Sequence, residues 1–290
     1  MTKDTFLCIG NINWDVVLHT DSVPDPDNSS DVTNEYKSSG GSATNTGLVL
    51  SNLGENVAIA GCVGNDSYGE KIQDIFADNG ITPYVSIEDM NTTVIRAIIT
   101  DDADPRYFAK DLDIVDFEPS LVEDWSEITH LHITSFDEDI SKEFVEHASQ
   151  YDVTISFNPS QGYGDRNFPH IIEEADVIFL NEREAGIFRN RYNFGEIVEN
   201  GTTIVVTHGG IGCTAYAPDG VVTHSGFSAD SVVDTVGAGD SFVSGFLTEW
   251  SNNCSKEQLK TSLEKANACG ASAVTTAGAP DSVDPTKFLE

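Results

Sequence analysis

The chain has 290 residues, 39% of them apolar, with no apolar run long enough to cross a bilayer, which excludes a membrane-spanning helical protein and leaves enough apolar surface for a sizeable core. Its 48 acidic residues against 15 basic ones give a formal charge of −33, so the basic stripe that nucleic-acid binding needs is absent. Recurrent apolar runs argue against disorder, and the charge reads as a surface adapted to high salt, where screening relieves self-repulsion.

The N-terminus, MTKDTFLCIG, has no secretory signal pattern, so the expected location is the cytoplasm. TFLCIG (Thr5 to Gly10) is a strand signal, and NINWDVVLHT (Asn11 to Thr20) is a second one that sets Asp15 beside Trp14 and a β-branched run. Period-2 alternation either turns Asp15 to solvent, the commoner outcome, or holds it in a site that binds hydroxyls. SVPDPDNSSD (Ser22 to Asp31) is an exposed loop.

In the next stretch Gly40 and Gly41 precede a helix with Ala43, Leu48, Val49 and Leu53 on its apolar side and Gly54 as its stop. Glycines at a helix entry let a ligand approach the backbone, and Asn45 lies where its amide can bridge two hydroxyls; a glycine-rich turn with a buried polar cap fits equally. A strand over Asn56 to Gly64 and a helix over Tyr68 to Gly80 continue a β/α alternation. Residues Thr92 to Lys110 break it with a strand, an acidic turn (DDADP) and a return (RYFAK), which is a β-hairpin. With the Asp15 strand and the Asn34 to Ser38 segment, this hairpin makes a small sheet able to cover a site.

The alternation resumes with a strand ending at Ile128 to Thr134, a helix near Ser141 to Gln150, and strands at Val153 to Ser160 and Asp176 to Leu180. His130 and His132, two apart on a strand, read as structural rather than as metal ligands. NEREA (Asn181 to Ala185) places polar groups at a strand's carboxyl end, where open parallel sheets collect ligands. Gly201 to Cys213 is a strand running into a loop with three glycines, a phosphate contact by its backbone amides, and a second hairpin follows at Cys213 to Ala217 and Val221 to Thr223. A final helix carries Leu259, Leu263, Ala266, Gly270 and Ala273 at helical spacing. The five cysteines (Cys8, Cys62, Cys213, Cys254 and Cys269) form no C-x-x-C pair and read as buried free thiols.

Between the second hairpin and that last helix lies DTVGAGDSF (Asp234 to Phe242), with a short strand signal at Ser231 to Val233 before it and a helical run, Ser241 to Trp250, after it. Glycines at a helix start present free amides to an anion, so the stretch reads as a phosphate cradle. Asp240 inside it is either an ordinary first-turn acid or the base that deprotonates a group attacking that phosphate.

Taken together, GGSATN (Gly40 to Asn45), NEREA, VTHGGIG (Val206 to Gly212), DTVGAGDSF and the tail ANACGASAVTTAGA (Ala266 to Ala279) resemble, in order and spacing, the ribokinase-type (PfkB) carbohydrate kinase family. The resemblance covers essentially the whole chain. It implies a single domain over 1–290, a doubly wound three-layer α/β/α fold with a small β-sheet lid formed by segments near 12–38 and 92–110. It implies a phosphotransferase that moves the γ-phosphoryl group of ATP to a hydroxyl of a sugar or sugar derivative, or, in the same family, of a nucleoside or sugar phosphate; a non-catalytic sugar- or nucleotide-binding regulator is the other class.

By position, the resemblance implies Asp240 as general base and the amides of Gly237, Ala238 and Gly239 as an anion hole. Asp15, Gly40, Gly41 and Asn45 would hold the acceptor; Asn181, Glu184, Thr207, Gly209, Gly212 and Asn267 would serve the nucleotide. Glu184 would act on Mg²⁺ through water, and Asp234 with the carbonyl of Val236 resembles part of a K⁺ site. Ribokinase itself usually has lysine after the glycine pair, where this chain has Ser42, so free ribose is not the default acceptor. Arg96 and Arg106 on the hairpin either meet an anionic acceptor or, more commonly for such residues, pair with surface acids. The lid's edge strands suggest a homodimer; nucleic acid and membrane are not expected partners.

Overall fold

The computed structural model describes residues 5–100, 103–109, 117–134, 137–160, 167–276, 278, 280 and 282–289, with the side chains of 103–105 left out. Residues 1–4 of the N-terminal reading, Asp101, Asp102 and Lys110 of the hairpin, and Ala277 and Ala279 of the tail lie outside them. The strands are β1 (Thr5–Ile9), β2 (Asn13–Thr20), β3 (Val32–Gly40), β4 (Asn56–Gly64), β5 (Thr82–Glu88), β6 (Val94–Thr100), β7 (Ala103–Ala109), β8 (Ile128–Ile133), β9 (Thr154–Phe157), β10 (Val177–Asn181), β11 (Thr203–Thr207), β12 (Gly212–Ala217) and β13 (Gly220–Ser225). The α-helices are α1 (Ser42–Asn52), α2 (Ser67–Asp78), α3 (Glu138–Ala148), α4 (Pro169–Glu174), α5 (Glu182–Arg191), α6 (Phe194–Glu199), α7 (Ala238–Leu247) and α8 (Lys256–Ala273).

Why the chain needs three layers is visible in β1. Phe6 and Cys8 go into one buried cluster and Leu7 and Ile9 into another, as period-2 geometry requires of a strand apolar at every position. The same split separates Val57 and Ile59 from Ala58 and Ala60 in β4, and Val177 and Phe179 from Ile178 and Leu180 in β10. Strands buried on both faces must be covered twice. One face packs against α1, α2, α7 and α8 through residues such as Leu48, Phe76, Phe246 and Leu263; the other packs against α3, α4 and α5 through Phe144, Ile171 and Phe188.

The nine strands run in the order β13-β12-β11-β10-β9-β8-β1-β4-β5. Pairing is parallel from β5 to β11 and antiparallel only at the β11-β12-β13 edge. This is the doubly wound α/β sheet expected from the sequence, and its ligand side is the carboxyl end of the strands. A second sheet, β3-β2-β6-β7, forms from the hairpin and the two segments that the sequence grouped with it.

Several local readings change. Strand β5 was not anticipated, because TPYVSIE lies at the sheet edge, holds a proline and is nowhere fully buried, so it lacks an apolar signature. Pro169–Glu174 is likewise an unanticipated helix. Ser231 to Val233 is not a strand; its contact with the fold is the Val233 N–H donating to the Val274 carbonyl at 2.8 Å, and Val232 and Val233 are exposed. Helix α7 begins at Ala238 rather than Ser241, which puts Asp240 inside its first turn.

Candidate active site

A cavity of about 590 Å³ opens at the carboxyl ends of the parallel strands. Asn181 and Thr207 line it from the ends of β10 and β11, Thr134 from just beyond β8, and Asn158 and Ser160 from just beyond β9. The first turns of α1 and α7 contribute Ser42, Asn45, Gly239 and Asp240, and the second sheet contributes Asp15, Ile95, Tyr107 and Ala109. Open parallel sheets bind ligands at this end because helix N-termini, with unpaired amides, converge there.

Gly237 is the N-cap of α7 and takes a left-handed conformation (φ 73°), which turns the chain into the helix; a Cβ there would also lie 2.9 Å from the Pro280 ring. One turn in, the Asp240 carboxylate is 9% exposed. The Asn45 amide of α1 donates to its Oδ2 at 2.9 Å, and Ser42 lines the same cavity. Burial pushes Asp240 up to about 6, and hydrogen bonding, chiefly from Asn45, holds it below where burial alone would put it. Asp15, across the cavity on β2, is pushed up to about 7 by burial and then by the negative charge of Asp240. Alternation does not send this carboxylate to solvent, because the face of β2 that carries it looks into the cavity. Its Oδ2 fills the space where a Cβ on Gly40 would lie, at 2.0 Å, so glycine at 40 is what admits the carboxylate. Asp15 Oδ1 and Asn45 Oδ1 are sealed from solvent and meet no hydrogen-bond partner among the described residues.

At the other wall, Asn181 caps α5 in a reciprocal box: its Oδ1 accepts from the Glu184 N–H at 2.9 Å, and its own N–H donates to Glu184 Oε2 at 2.8 Å. Glu184 is buried, and desolvation pushes it up to about 7 despite the Asn181 bonds and the charge of Arg183. A carboxylate so placed gains from a nearby cation. Among the described residues no three His, Cys, Asp or Glu side chains gather to hold a metal, so a divalent ion here would take its remaining ligands from water and phosphate oxygens.

The cavity thus brings together Asp15, Gly41, Asn45, Asn181, Glu184, Thr207, Val236, Gly237, Gly239 and Asp240. Gly40 stands behind Asp15, and Ala238 lies between two lining glycines without lining the cavity itself. Gly209 and Gly212 lie in the turn that follows β11, and Asn267 sits on α8, donating to Cys213 Sγ at 3.2 Å and within 3.0 Å of His224 Nδ1. Those three flank the cavity rather than line it. Asp234 is buried, and its two oxygens accept from the amides of Val236 (3.0 Å) and Gly278 (3.2 Å). Arg96 and Arg106 are exposed and alternate with the lining positions Ile95 and Tyr107, so they occupy the sheet's far face. Sequence reasoning missed Asn158, Ser160 and Tyr107; of these, only Tyr107 had a signal, the alternation of its hairpin.

His130 and His132 face the same way, and both engage the Ser156 hydroxyl, at 2.8 and 2.7 Å. None of the five cysteines forms a disulfide among the described residues, and Cys8, Cys213 and Cys269 are buried while Cys62 and Cys254 are half-buried.

The family model for pfkB family carbohydrate kinase matches residues 3–287. An ATP-dependent ribose-1-phosphate kinase of Halopiger xanaduensis is 31% identical over 270 residues, covering 91% of this chain and 90% of that protein. A nucleoside kinase of Methanocaldococcus jannaschii is 25% identical over 84% of this chain and 82% of its own length. Among solved structures, the nucleoside kinase of that organism superposes with a TM-score of 0.82 at 22% identity over 98% of this chain and 96% of that one. Arabidopsis thaliana ribokinase complexed with ribose and ATP gives 0.80 at 18% identity over 100% and 98%. No described helix is long and apolar enough to cross a membrane.

Proposed function

The chain belongs to the PfkB family of carbohydrate kinases, phosphotransferases with hydroxyl acceptors, and on that premise we propose that it transfers the γ-phosphoryl group of ATP to a hydroxyl of a ribose derivative, with Asp240 as general base. The observation that carries this reading is the meeting at the cavity of Asp240 in the first turn of α7, Asn45 on α1 and Asp15 on β2, with Asp15 Oδ1 and Asn45 Oδ1 lacking a hydrogen-bond partner among the described residues. Asp15 and Asn45 orient the acceptor. Asp240 takes the proton of the attacking hydroxyl as the ester bond to phosphorus forms and ADP leaves. The amides of Gly237 and Gly239, at cavity-lining positions, hold the charge of the transferring group, which is where an anion hole contributes most, while the Ala238 N–H donates to the Thr235 carbonyl at 3.3 Å.

ATP supplies the phosphoryl group, with its phosphates along Asn181, Thr207 and the Gly209 to Gly212 turn and its base toward Asn267. Glu184 would hold Mg²⁺ through water, and Asp234 with the carbonyl of Val236 would hold K⁺. Ribose 1-phosphate and a nucleoside share a ribose blocked at C1 with a free primary hydroxyl, and relatives named for each support that acceptor class. The β3-β2-β6-β7 sheet acts as the lid, and its edges, β3 and β7, are where a homodimer would form.

The test is ADP release in molar KCl with Mg²⁺ and ATP, across ribose 1-phosphate, inosine, adenosine, cytidine, ribose and fructose. Turnover with a C1-substituted ribose, and its loss by on the order of 10² or more in Asp240→Asn, is the expected result. Near-normal turnover in Asp240→Asn sinks the assignment.

A further inference from the structure

Asn181 and Thr207 are register partners at the ends of the parallel strands β10 and β11, and both line the cavity. The residue after each, Glu182 and His208, does not line it. Instead the two meet, with His208 Nδ1 2.9 Å from Glu182 Oε1. The other side of the same ring reaches β12, where Nε2 lies 3.1 Å from the Thr214 hydroxyl. The backbone of His208 is engaged as well. Its N–H donates to the Gly212 carbonyl at 2.8 Å, and its carbonyl accepts from the Ile211 N–H at 3.2 Å, which closes the Gly209 to Gly212 turn. All four polar groups of one residue thus hold the turn that the kinase reading gives to the nucleotide phosphates.

The turn has little else to fix it. Ile211 is its one side chain and is 79% exposed, so apolar packing does not hold the turn in place. Its outer end is tied by the Gly226 N–H, which donates to the Ile211 carbonyl at 2.8 Å; its inner end depends on His208. A carboxylate oxygen accepts, so Nδ1 carries the proton in the Glu182 bond, and the Thr214 hydroxyl can donate to or accept from Nε2. The Glu182 side chain is 71% exposed and the ring 25%, and a pair so placed contributes little to stability. What it does contribute is position: the start of α5, the end of β11 and the return strand β12 converge on one imidazole.

We propose that His208 is a positioning residue for the nucleotide, its ring clamping Glu182 and Thr214 together so that the phosphate-binding turn is fixed beside Asn181. The inference rests on the kinase reading above. Glu182 gives the clamp a distinctive sign. A carboxylate that acted on bound phosphates through charge alone would repel them, and removing it would tighten nucleotide binding. As the anchor of the clamp, its removal loosens binding instead. Molar salt separates the two effects, because repulsion is screened over about 3 Å there while a hydrogen bond between touching groups persists.

The experiment is calorimetric titration of the full-length protein with ADP and Mg²⁺ in molar KCl, beside steady-state kinetics in the same buffer. His208→Ala is expected to raise the Kd for ADP and the KM for ATP by about tenfold, the size of one lost hydrogen bond to a charged group. Its kcat, and its KM for ribose 1-phosphate or inosine, change by less than about twofold. Glu182→Ala raises the Kd by about threefold, whereas Glu182→Gln, whose amide oxygen still accepts, leaves it in place. His208→Asn, whose amide nitrogen takes the place of Nδ1, recovers part of the loss. The double variant Glu182→Ala with His208→Ala binds no more weakly than His208→Ala alone, as members of one clamp should. An unchanged Kd in His208→Ala, a Kd unchanged or tightened in Glu182→Ala, additive losses in the double variant, or a loss confined to kcat overturns the proposal. Wild-type protein that binds no ADP sinks the kinase reading and the clamp together; equal ADP binding by wild type and His208→Ala sinks only the clamp.

Discussion

The Asn45 amide donates to the Asp240 carboxylate across 2.9 Å, joining the first turns of two helices whose residues lie 195 apart in sequence. Each helix start is a glycine entry, so the contact couples the acceptor side of the cavity to the phosphoryl side. It also sets the charge of the base, since a donor to a carboxylate stabilises its ionised form. Replacing Asn45 by Asp removes the donor and puts a second carboxylate against Asp240. Two such groups cannot both ionise cheaply, so one proton is retained near neutrality. We expect kcat/KM to fall by about 10² and the acid limb of its pH profile to move to higher pH, with Asn45→Ala intermediate because only the hydrogen bond is lost. Steady-state rates from pH 5 to 9 would check this, and an Asn45→Asp profile matching the wild type would refute it.

Asp15 poses the opposite balance of stability and function. Its folded value of about 7 lies above the ordinary 3.8, so the native state binds the proton more tightly than the unfolded chain does. The stability this confers is complete below about pH 4 and is lost as pH rises through 7. At pH 8 the buried, ionised carboxylate is therefore a net cost, retained for the acceptor it binds. Asp15→Asn should match wild-type stability at pH 4 and exceed it by about 2 to 4 kcal/mol at pH 8, while acceptor turnover collapses. Denaturant melts at the two pH values decide it; a variant no more stable at pH 8 than at pH 4, relative to wild type, would refute the claim.

How far the sequence carried these conclusions depended on whether function lay in backbone signals or in proximity. The β/α rhythm, the hairpin that leaves it and the glycines before α1 and α7 are local patterns, and they appear in the fold with α7 starting three residues earlier than its apolar run and with β5 and Pro169–Glu174 added. Asp15 was ambiguous because alternation states that a side chain faces one side of a sheet, not what covers that side. The Ser42 to Ser160 contact spans 118 residues and depends on one left-handed residue, for which the Asn-Pro-Ser sequence gives only a generic turn. Strand β5 escaped because an edge strand with exposed and half-buried positions has no apolar period to read.

Surface charge gives a prediction independent of the site. With 15 basic residues against 48 acidic ones, even complete pairing would leave 33 carboxylates without a partner. Their mutual repulsion opposes the compact state and is screened over a Debye length of about 3 Å at 1 M salt but about 30 Å at 0.01 M. The melting temperature should therefore fall steeply when KCl is lowered from molar to millimolar. Non-ionic osmolyte at equal osmolality should not restore it. A melting temperature unchanged between the two salt levels would show that the acidic surface is not what limits stability.

The buried pair His130 and His132 makes the fold sensitive to acid in a way the carboxylates partly mask. One Ser156 hydroxyl serves both rings, and a ring whose nitrogen accepts its proton must be neutral. Burial, and for His130 the neighbouring His132, pushes both down to about 3. The unfolded chain takes up these protons below about pH 6.5, so stability is lost as pH falls from there toward 3, by up to about 1.4 kcal/mol per pH unit for each ring. Asp15, Asp240 and Glu184, raised to about 7, 6 and 7, act in the reverse sense over much of the same range, because there it is the native state that holds the extra protons. The three carboxylates offset the two rings between pH 4.5 and 6, so wild-type stability should not fall as the pH is lowered across that interval. His130→Phe keeps a ring beside Phe6, leaves Ser156 its bond to His132, and removes one of the two opposing titrations. Its stability should rise relative to wild type as pH falls from 6.5 to 4.5, whatever its offset at pH 7. A difference between variant and wild type that stays constant across that interval would mean that His130 carries its proton in both states.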